Sequence, residues 1–169
     1  MAEVNDCMQR TVAPLSVYTR GMFDLFHYGH VKFLRNIKRY FRKKNRAYVL
    51  SQSCKLIVAV EGDHFSEEYT PVIHGNERLE VVRSCQYVDD AFIVPSEHNQ
   101  RYLIEQVYKP SYIVLGSNWK TKNYFNYLNI TQELLDSIKC KILFIPYTQA
   151  ISTTVITQRI KNDKFNSPN

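Results

Sequence analysis

One stretch of the chain reads Arg20-Gly21-Met22-Phe23-Asp24-Leu25-Phe26-His27-Tyr28-Gly29-His30 and lies between an apolar run and a helical pattern. Gly21 permits a tight turn where the apolar run ends, and Gly29 lets a ligand approach the backbone closely. His27 and His30 stand three positions apart at the start of the helix, so both imidazoles can point to one side. Because a helix N-terminus offers free N–H groups and a positive dipole end, this stretch predicts a phosphate site.

The two histidines also have other interpretations. They could form a metal pair, but no second group of ligands is spaced to join them, and we expect no metal held by the protein. They are also compatible with incidental surface residues. The four cysteines, Cys7, Cys54, Cys85 and Cys140, contain no C-x-x-C pair, so neither a zinc knuckle nor a disulfide framework is indicated.

Apolar runs alternate with helical patterns over most of the chain. The runs at 15–19, 56–60, 91–94, 112–115 and 142–145 are expected strands, and the segments 29–43, 77–86, 99–108 and 152–161 are expected helices. Near-continuous apolar strands that alternate with helices are typical of a parallel sheet covered on both faces. The sequence therefore predicts an α/β fold, a Rossmann-like doubly wound five-stranded parallel sheet with helices on both faces. Ligands of such sheets bind just after the strands.

Length and composition favour one compact domain. The chain has 169 residues, of which 44% are hydrophobic and 22% charged. These values exclude a disordered chain, a collagen and a coiled coil, and no apolar run is long enough to span a bilayer. We expect a domain over residues 15–161 between flexible tails at 1–14 and 162–169. Since the first residues carry no signal-peptide pattern, a cytoplasmic protein is the expected default.

The net charge of +6 favours anionic partners. Six of the nine residues from Lys38 to Arg46 are basic. One interpretation is a solvated helix end, because Lys and Arg suit helix C-termini. The other is a docking patch for RNA, a membrane or a partner protein.

Four motifs in order resemble one family. Residues 21–30 resemble the G-x-F-D-x-x-H-x-G-H signature of the cytidylyltransferase-like nucleotidyltransferases. Residues 87–90, Tyr-Val-Asp-Asp, resemble the family's Y-V-D-E, and residues 116–119, Gly-Ser-Asn-Trp, resemble its G-D-D-W. Residues 151–154, Ile-Ser-Thr-Thr, resemble the I-S-T-T that opens its last helix. The resemblance extends to the glycerol-phosphate and choline-phosphate cytidylyltransferases and to the adenylyltransferases that make ADP-heptose.

The resemblance implies a reaction and a set of site residues. Such enzymes join a nucleoside triphosphate, carried with Mg²⁺, to a small phosphorylated compound and release pyrophosphate. By resemblance, His27 and His30 are catalytic. The residues expected at the nucleotide are Gly21, Met22, Phe23, Gly29, Asn118, Thr148, Ile151, Ser152 and Thr153. The residues expected at the acceptor substrate are Asp24, Arg78 and Trp119.

Several of these assignments have alternatives. Ser152 and Thr153 could serve only as the cap of the last helix, and Arg78 could form a surface ion pair with Glu77 or Glu80. CTP is the expected nucleotide and ATP the second choice, and relatives suggest a homodimer.

The chain departs from the family where positive charges are expected. The loop after the second strand carries Glu67 and Glu68 in place of a lysine, and Gln86 stands in place of an arginine. Residues 39–54 form an insertion that contains the basic stretch. Two functions therefore stay open: an active nucleotidyltransferase, or a non-catalytic descendant that acts in binding or assembly through the basic insertion.

Overall fold

The computed structural model describes residues 15–44, 54–65, 69–148 and 150–162. These residues contain a five-stranded sheet in which neighbouring strands pair in parallel. Its strands are β1 (Leu15–Gly21), β2 (Cys54–Glu61), β3 (Asp90–Val94), β4 (Tyr112–Gly116) and β5 (Lys141–Ile145). Each strand contains the apolar run expected for it and extends slightly beyond. The predicted parallel sheet is confirmed.

The strand order places the first strand in the middle of the sheet. The order is β3-β2-β1-β4-β5, so the chain builds one half outward from β1 and then returns to build the other half from β4. A crevice opens beside the carboxyl ends of the strands where the order reverses, and doubly wound sheets bind their ligands there. In this chain the reversal lies between β1 and β4.

The helices agree with the expectation in part. They are α1 (Tyr28–Lys44), α2 (Gly75–Arg83), α3 (Glu97–Tyr102), α4 (Tyr124–Leu128), α5 (Gln132–Ser137) and α6 (Thr153–Lys161). The expected helix at 77–86 begins and ends earlier. The one at 99–108 is α3 continued by a π-helical segment, Leu103–Tyr108. A 3₁₀ turn at Ser117–Trp119 and the helices α4 and α5 were not expected.

Both faces of the sheet are covered by helices. Successive residues of a strand point to opposite faces, and Val17 and Tyr18 of β1 accordingly lie in different cores. Val17 packs in a core with Leu34 of α1 and Leu79 of α2. Tyr18 packs in the other core, which contains Leu128 of α4 and residues of α5 and the π-helical segment. The doubly wound architecture is therefore confirmed.

The basic stretch is partly a continuation of the first helix. Helix α1 runs to Lys44, so residues 39–44 of the expected insertion are helical. This agrees with the helix-end interpretation up to that residue. The remainder of the insertion at 45–53, the tails at 1–14 and 163–169, and Glu67 and Glu68 lie outside the described residues. Among the described helices, none is long and apolar enough to cross a membrane.

Candidate active site

A cavity of about 550 Å³ opens at the carboxyl ends of the central strands. Arg20 and Gly21 from β1, Glu61 from β2, and Leu115 and Gly116 from β4 line it. It lies where the strand order reverses, which is the position expected for a ligand site in this fold. The turn between β1 and α1 forms much of its wall.

The turn after β1 has an unusual backbone. Phe23 and Leu25 have φ values of 52° and 43°. This left-handed region is uncommon for residues other than glycine and costs energy, so such strain persists where the surroundings impose it. The two residues flank Asp24, and the reversal of the chain brings Met22, Phe23 and Asp24 to the cavity.

Asp24 holds a neighbouring loop in place. Its side chain accepts hydrogen bonds from the Tyr69 hydroxyl at 2.6 Å and from the backbone N–H groups of Val72 and Ile73 at 2.9 and 3.0 Å. Burial by itself raises the pKa of Asp24, but these hydrogen bonds outweigh it and lower the pKa below its ordinary value. The Thr153 hydroxyl donates to the Asp24 carbonyl at 2.9 Å. Asp24 therefore connects the turn to α6 and to residues 69–73.

His27 and His30 form a stacked pair at the start of α1. Their ring centroids lie 3.9 Å apart with an interplanar angle of 19°. The Nδ1 atom of His27 accepts a hydrogen bond from the Gly29 N–H at 3.0 Å, and that of His30 accepts one from the His27 N–H at 3.3 Å. Because a neutral imidazole that accepts at one nitrogen carries its proton on the other, both rings have Nε2–H as a donor.

The environment keeps this pair neutral. Burial lowers the pKa of His30 to about 3, and the nearby His27 lowers it as well. Burial also lowers the pKa of His27. The ring of His30 packs against Phe23 and Phe26, with centroid distances of 5.3 and 5.4 Å. The cavity is thus lined by two neutral imidazoles that can donate hydrogen bonds to an anion.

Gly29 leaves no room for a side chain. A Cβ atom at this position would lie 2.8 Å from Cε1 of His27 and 3.2 Å from Cγ2 of Ile151. A distance of 2.8 Å between two carbon atoms is a steric clash. The His27 ring cannot easily move away, because its Nδ1 atom accepts a hydrogen bond from the Gly29 N–H. The glycine therefore lets the segment before α6 approach the start of α1.

Arg20 is a cavity residue that the sequence analysis did not single out. Its side chain is fully buried, and its guanidinium carbon lies 3.6 Å from the Tyr127 ring centroid and 4.4 Å from that of Phe65. Its Nε atom lies 2.9 Å from Oε1 of Glu61, and Nη1 donates to the side chain of Gln100. Its Nη2 atom is buried and has no hydrogen-bond partner among residues 15–44, 54–65, 69–148 and 150–162.

Aromatic rings extend from Arg20 towards Trp119. The Trp119 ring stacks on Tyr127 with a centroid distance of 3.8 Å. The Tyr127 hydroxyl donates to Oε1 of Glu61 at 2.7 Å, and burial raises the pKa of Tyr127, so this hydroxyl stays protonated. Nζ of Lys122 lies 5.1 Å from the Trp119 ring centroid. One side of the cavity is therefore an aromatic wall with a buried ion pair.

The lining of the cavity offers no ready metal site. Its carboxylates are Asp24 and Glu61, and both already accept hydrogen bonds from protein groups. Among the residues that the structure describes, no group of three or more His, Cys, Asp or Glu side chains is placed to hold a metal ion. Mg²⁺ is commonly bound through substrate phosphates and water, so a Mg²⁺ ion carried by a phosphate ligand would not need such a group.

A family model described as cytidylyltransferase-like matches residues 18–159, which include both histidines and extend from within β1 to within α6. The chain belongs to the cytidylyltransferase-like family. The resemblance drawn from the four motifs is thereby confirmed, and the chain is a nucleotidyltransferase of this family.

Known proteins of several kinds are similar to this cytidylyltransferase-like chain. It is 28% identical to the glycerol-3-phosphate cytidylyltransferase of Bacillus subtilis, over 85% of this chain and 95% of that protein. It is 25% identical to the bifunctional protein HldE of Desulfatibacillum aliphaticivorans, over 88% of this chain but 27% of that longer protein. A crystal structure of a lipopolysaccharide core biosynthesis protein from Thermoplasma volcanium matches with a TM-score of 0.56 and 25% identity. That match covers 80% of this chain and 98% of the other.

Most of the residues predicted for the site of this cytidylyltransferase-like chain lie together. Those that line the cavity are Gly21, Met22, Phe23, Asp24, His27, Gly29, His30, Asn118, Trp119 and Thr153. Those that do not are Arg78, Thr148, Ile151 and Ser152. Ile151 packs next to Gly29, since its Cγ2 atom lies 3.2 Å from the position that a Cβ of Gly29 would take. Ser152 is the N-cap of α6, where its hydroxyl accepts a hydrogen bond from the Val155 N–H at 3.2 Å.

Arg78 lies neither at the cavity, where it would meet the acceptor substrate, nor in a surface ion pair with Glu77 or Glu80. It is only 2% exposed, and it pairs with Asp63 at 2.8 Å rather than with Glu77 or Glu80. Its Nε donates to the Ile73 carbonyl at 2.8 Å, and Nη1 donates to the Met22 carbonyl. Because all three nitrogens of its guanidinium are engaged, Arg78 supports the wall of the site and does not line the cavity.

The structure adds site residues that motif matching missed. They are Arg20, Phe33, Glu61, Phe65, Tyr69, Leu115 and Tyr127. Tyr147, which precedes Thr148, lines the cavity as well. A charged residue at the end of an otherwise apolar strand is the signal that could have identified Arg20 and Glu61, because such a position lies at the ligand edge of a parallel sheet.

Proposed function

We propose that the chain transfers a cytidylyl group from Mg²⁺-bound CTP to a small phosphorylated alcohol, amino alcohol or sugar, with release of pyrophosphate. The observation that carries the proposal is the neutral pair His27 and His30, which lines a cavity at the reversal of the strand order. The likeness to a glycerol-3-phosphate cytidylyltransferase over nearly its whole length supports CTP and a phosphorylated acceptor.

The reaction needs positioning and charge stabilisation, and it needs no covalent intermediate. A phosphate oxygen of the acceptor forms a bond to the α-phosphorus in line with the leaving group, and the bond between the α-phosphorus and the bridging oxygen breaks. The electron pair of that bond leaves with pyrophosphate. The Nε2–H groups of His27 and His30 donate hydrogen bonds to the phosphate oxygens on which charge develops.

Other parts of the cavity wall bind the outer phosphates of the nucleotide and the acceptor. The first turn of α6 has N–H groups without intrahelical partners, and with Thr153 in the cavity wall it suits the outer phosphates of the nucleotide. The acceptor lies on the side of Arg20 and Trp119, where Nη2 of Arg20 is a donor to which no described residue is hydrogen-bonded. Asp24 acts by holding the loop at residues 69–73, since its carboxylate already accepts several hydrogen bonds.

The non-catalytic alternative gains no support from the described residues, because the histidine pair and Gly29 have the geometry that donation to a phosphate needs. The proposal is tested by measuring pyrophosphate release from CTP, ATP, GTP and UTP, with and without Mg²⁺. The acceptors are glycerol 3-phosphate, choline phosphate and a panel of sugar phosphates.

The expected result is Mg²⁺-dependent release that is fastest with CTP and one acceptor. His30→Ala should lower its rate at least about 100-fold. His74→Ala, which removes a histidine whose side chain is 88% exposed, is the matched control and should leave the rate unchanged. Tight nucleotide binding without release for any acceptor would overturn the proposal.

A further inference from the structure

A second cavity lies on the surface of α1, apart from the active site. It has a volume of about 320 Å³, and its lining is Arg35, Lys38, Arg39, Arg42, Gln86, Tyr87 and Asp89. None of these residues lines the active-site cavity. The basic residues stand one and two helical turns apart on α1, so their side chains share one face of the helix.

The charges in this α1 groove do not cancel. Asp89, its only carboxylate, is occupied by Lys38 and by the Leu56 N–H at 2.5 Å. Lys38 also donates to the Cys54 carbonyl at 3.0 Å. Lys38 and Asp89 therefore neutralise each other, and among the residues that the structure describes no carboxylate pairs with the three arginines of the groove.

The three arginines are free to bind. None of Arg35, Arg39 and Arg42 has an ion pair or a hydrogen bond with another residue that the structure describes. Arg39 and Arg42 are exposed, whereas Nε of Arg35 is buried and finds no hydrogen-bond partner within the described part of the chain. A buried donor of this kind is costly unless a ligand or water satisfies it.

We propose that the α1 groove is a second binding site, and that its ligand is a compact phosphate-bearing anion of about the size of pyrophosphate. Guanidinium groups match phosphate oxygens with pairs of parallel hydrogen bonds, which favours phosphate among the possible anions. The groove is concave and small, and Gln86 and Tyr87 close its side. These features suit a discrete anion better than a long polymer or a flat membrane surface.

The test uses inorganic pyrophosphate and follows residue-resolved NMR of the full chain. The Nε–H signal of Arg35 and the backbone amides of residues 86–89 should shift with one common saturation curve. Because pyrophosphate can also enter the active-site cavity, the signals of residues 27–30 and 153 are followed separately. Inorganic phosphate should bind the groove more weakly than pyrophosphate, since it offers fewer oxygens to three guanidiniums.

Two variants make the result specific. The first is the double variant Arg39→Gln/Arg42→Gln, which changes only exposed side chains. It should weaken pyrophosphate binding at the groove at least tenfold. It should leave the curve of residues 27–30 unchanged. Arg159→Gln removes an exposed arginine of α6 outside the groove and should change neither curve.

Three outcomes overturn the proposal. The first is saturation of residues 27–30 with no shift of the Arg35 Nε–H signal, which would leave α1 as a solvated basic face. The second is binding of an RNA homopolymer, or of vesicles containing phosphatidic acid, without binding of free pyrophosphate. The third is an equal effect of the Arg159→Gln control.

Discussion

At the level of single residues, the buried ring of His30 makes stability depend on pH. Its pKa is about 3 in the folded chain, whereas an unfolded histidine titrates near 6.5. Below that unfolded value the unfolded state binds a proton that the folded state does not. The histidine therefore costs the folded state stability as the pH falls from about 6.5 towards 3, by at most about 1.4 kcal/mol per pH unit.

Urea unfolding measured from about pH 7 to about pH 5 checks this expectation. The free energy of unfolding of the wild type should fall more steeply with decreasing pH than that of His30→Gln, which cannot titrate. Identical slopes for the wild type and His30→Gln would show that His30 titrates normally in the fold.

Arg20 gives a second expectation at this scale. Arg20→Met removes the partner of Glu61, whose side chain is only 9% exposed, and should destabilise the fold by about 3–5 kcal/mol. The double variant Arg20→Met with Glu61→Gln removes both charges, so it should cost clearly less than the single change. Chemical unfolding of the two variants measures the difference. A double variant as unstable as the single one would mean that packing between Phe65 and Tyr127, rather than charge, explains the cost.

Site residues could be predicted from the sequence where their partners are close to them along the chain, and not where their partners are far away. His27, Gly29 and His30 interact within one turn, so their spacing alone indicated a common site. Arg20 meets Glu61, Gln100 and Tyr127, which come from distant segments, and no local pattern reports such a cluster. Arg78 was misplaced for the same reason.

At the level of elements, the cap of α6 separates a structural role from a functional one. The Ser152 hydroxyl accepts from the Val155 N–H, and the Thr131 hydroxyl at the start of α5 accepts from the Leu134 N–H at 3.3 Å. Ser152→Ala and Thr131→Ala should each cost about 1 kcal/mol of stability, as lost N-caps do. Only Ser152→Ala should also lower kcat/KM, because α6 starts at the cavity and α5 does not.

Thermal unfolding and pyrophosphate release on the same two variants decide between these roles. An equal loss of kcat/KM in both variants would mean that the loss reflects stability alone. Unchanged kcat/KM in Ser152→Ala would restrict Ser152 to capping.

The elements themselves were predictable to different degrees. The strands were readable because each contains a short apolar run, and consecutive residues of β1, β2 and β4 are buried on both faces of the sheet. Helices α4 and α5 are short and follow a polar turn, so their periodicity spans too few residues to give a signal. The π-helical segment at Leu103–Tyr108 continues α3 without a break in pattern, so the sequence predicted one helix there.

At the level of the whole molecule, charge is distributed unevenly between the two cavities. The active-site lining holds the cation Arg20 against the carboxylates Asp24 and Glu61, whereas the α1 groove holds three arginines that no carboxylate of the described ranges pairs with. The sequence showed the surplus of +6 but could not show where it faces, because that depends on how α1 packs on the sheet. In the function proposed above, a triphosphate in this cavity would therefore depend on neutral donors, the α6 N-terminus and its own Mg²⁺ to offset its charge.

The central position of β1 has a consequence for synthesis on the ribosome. The strand is translated early, but β4, the neighbour on one of its edges, follows roughly 90 residues later, which takes about 5–20 s at ordinary translation rates. During that time β2 can pair with the other edge, while the edge that later meets β4 stays open. An exposed apolar edge of this kind attracts other strands. The nascent chain thus passes through a period in which chaperone binding and aggregation compete for the strand that will carry the catalytic turn.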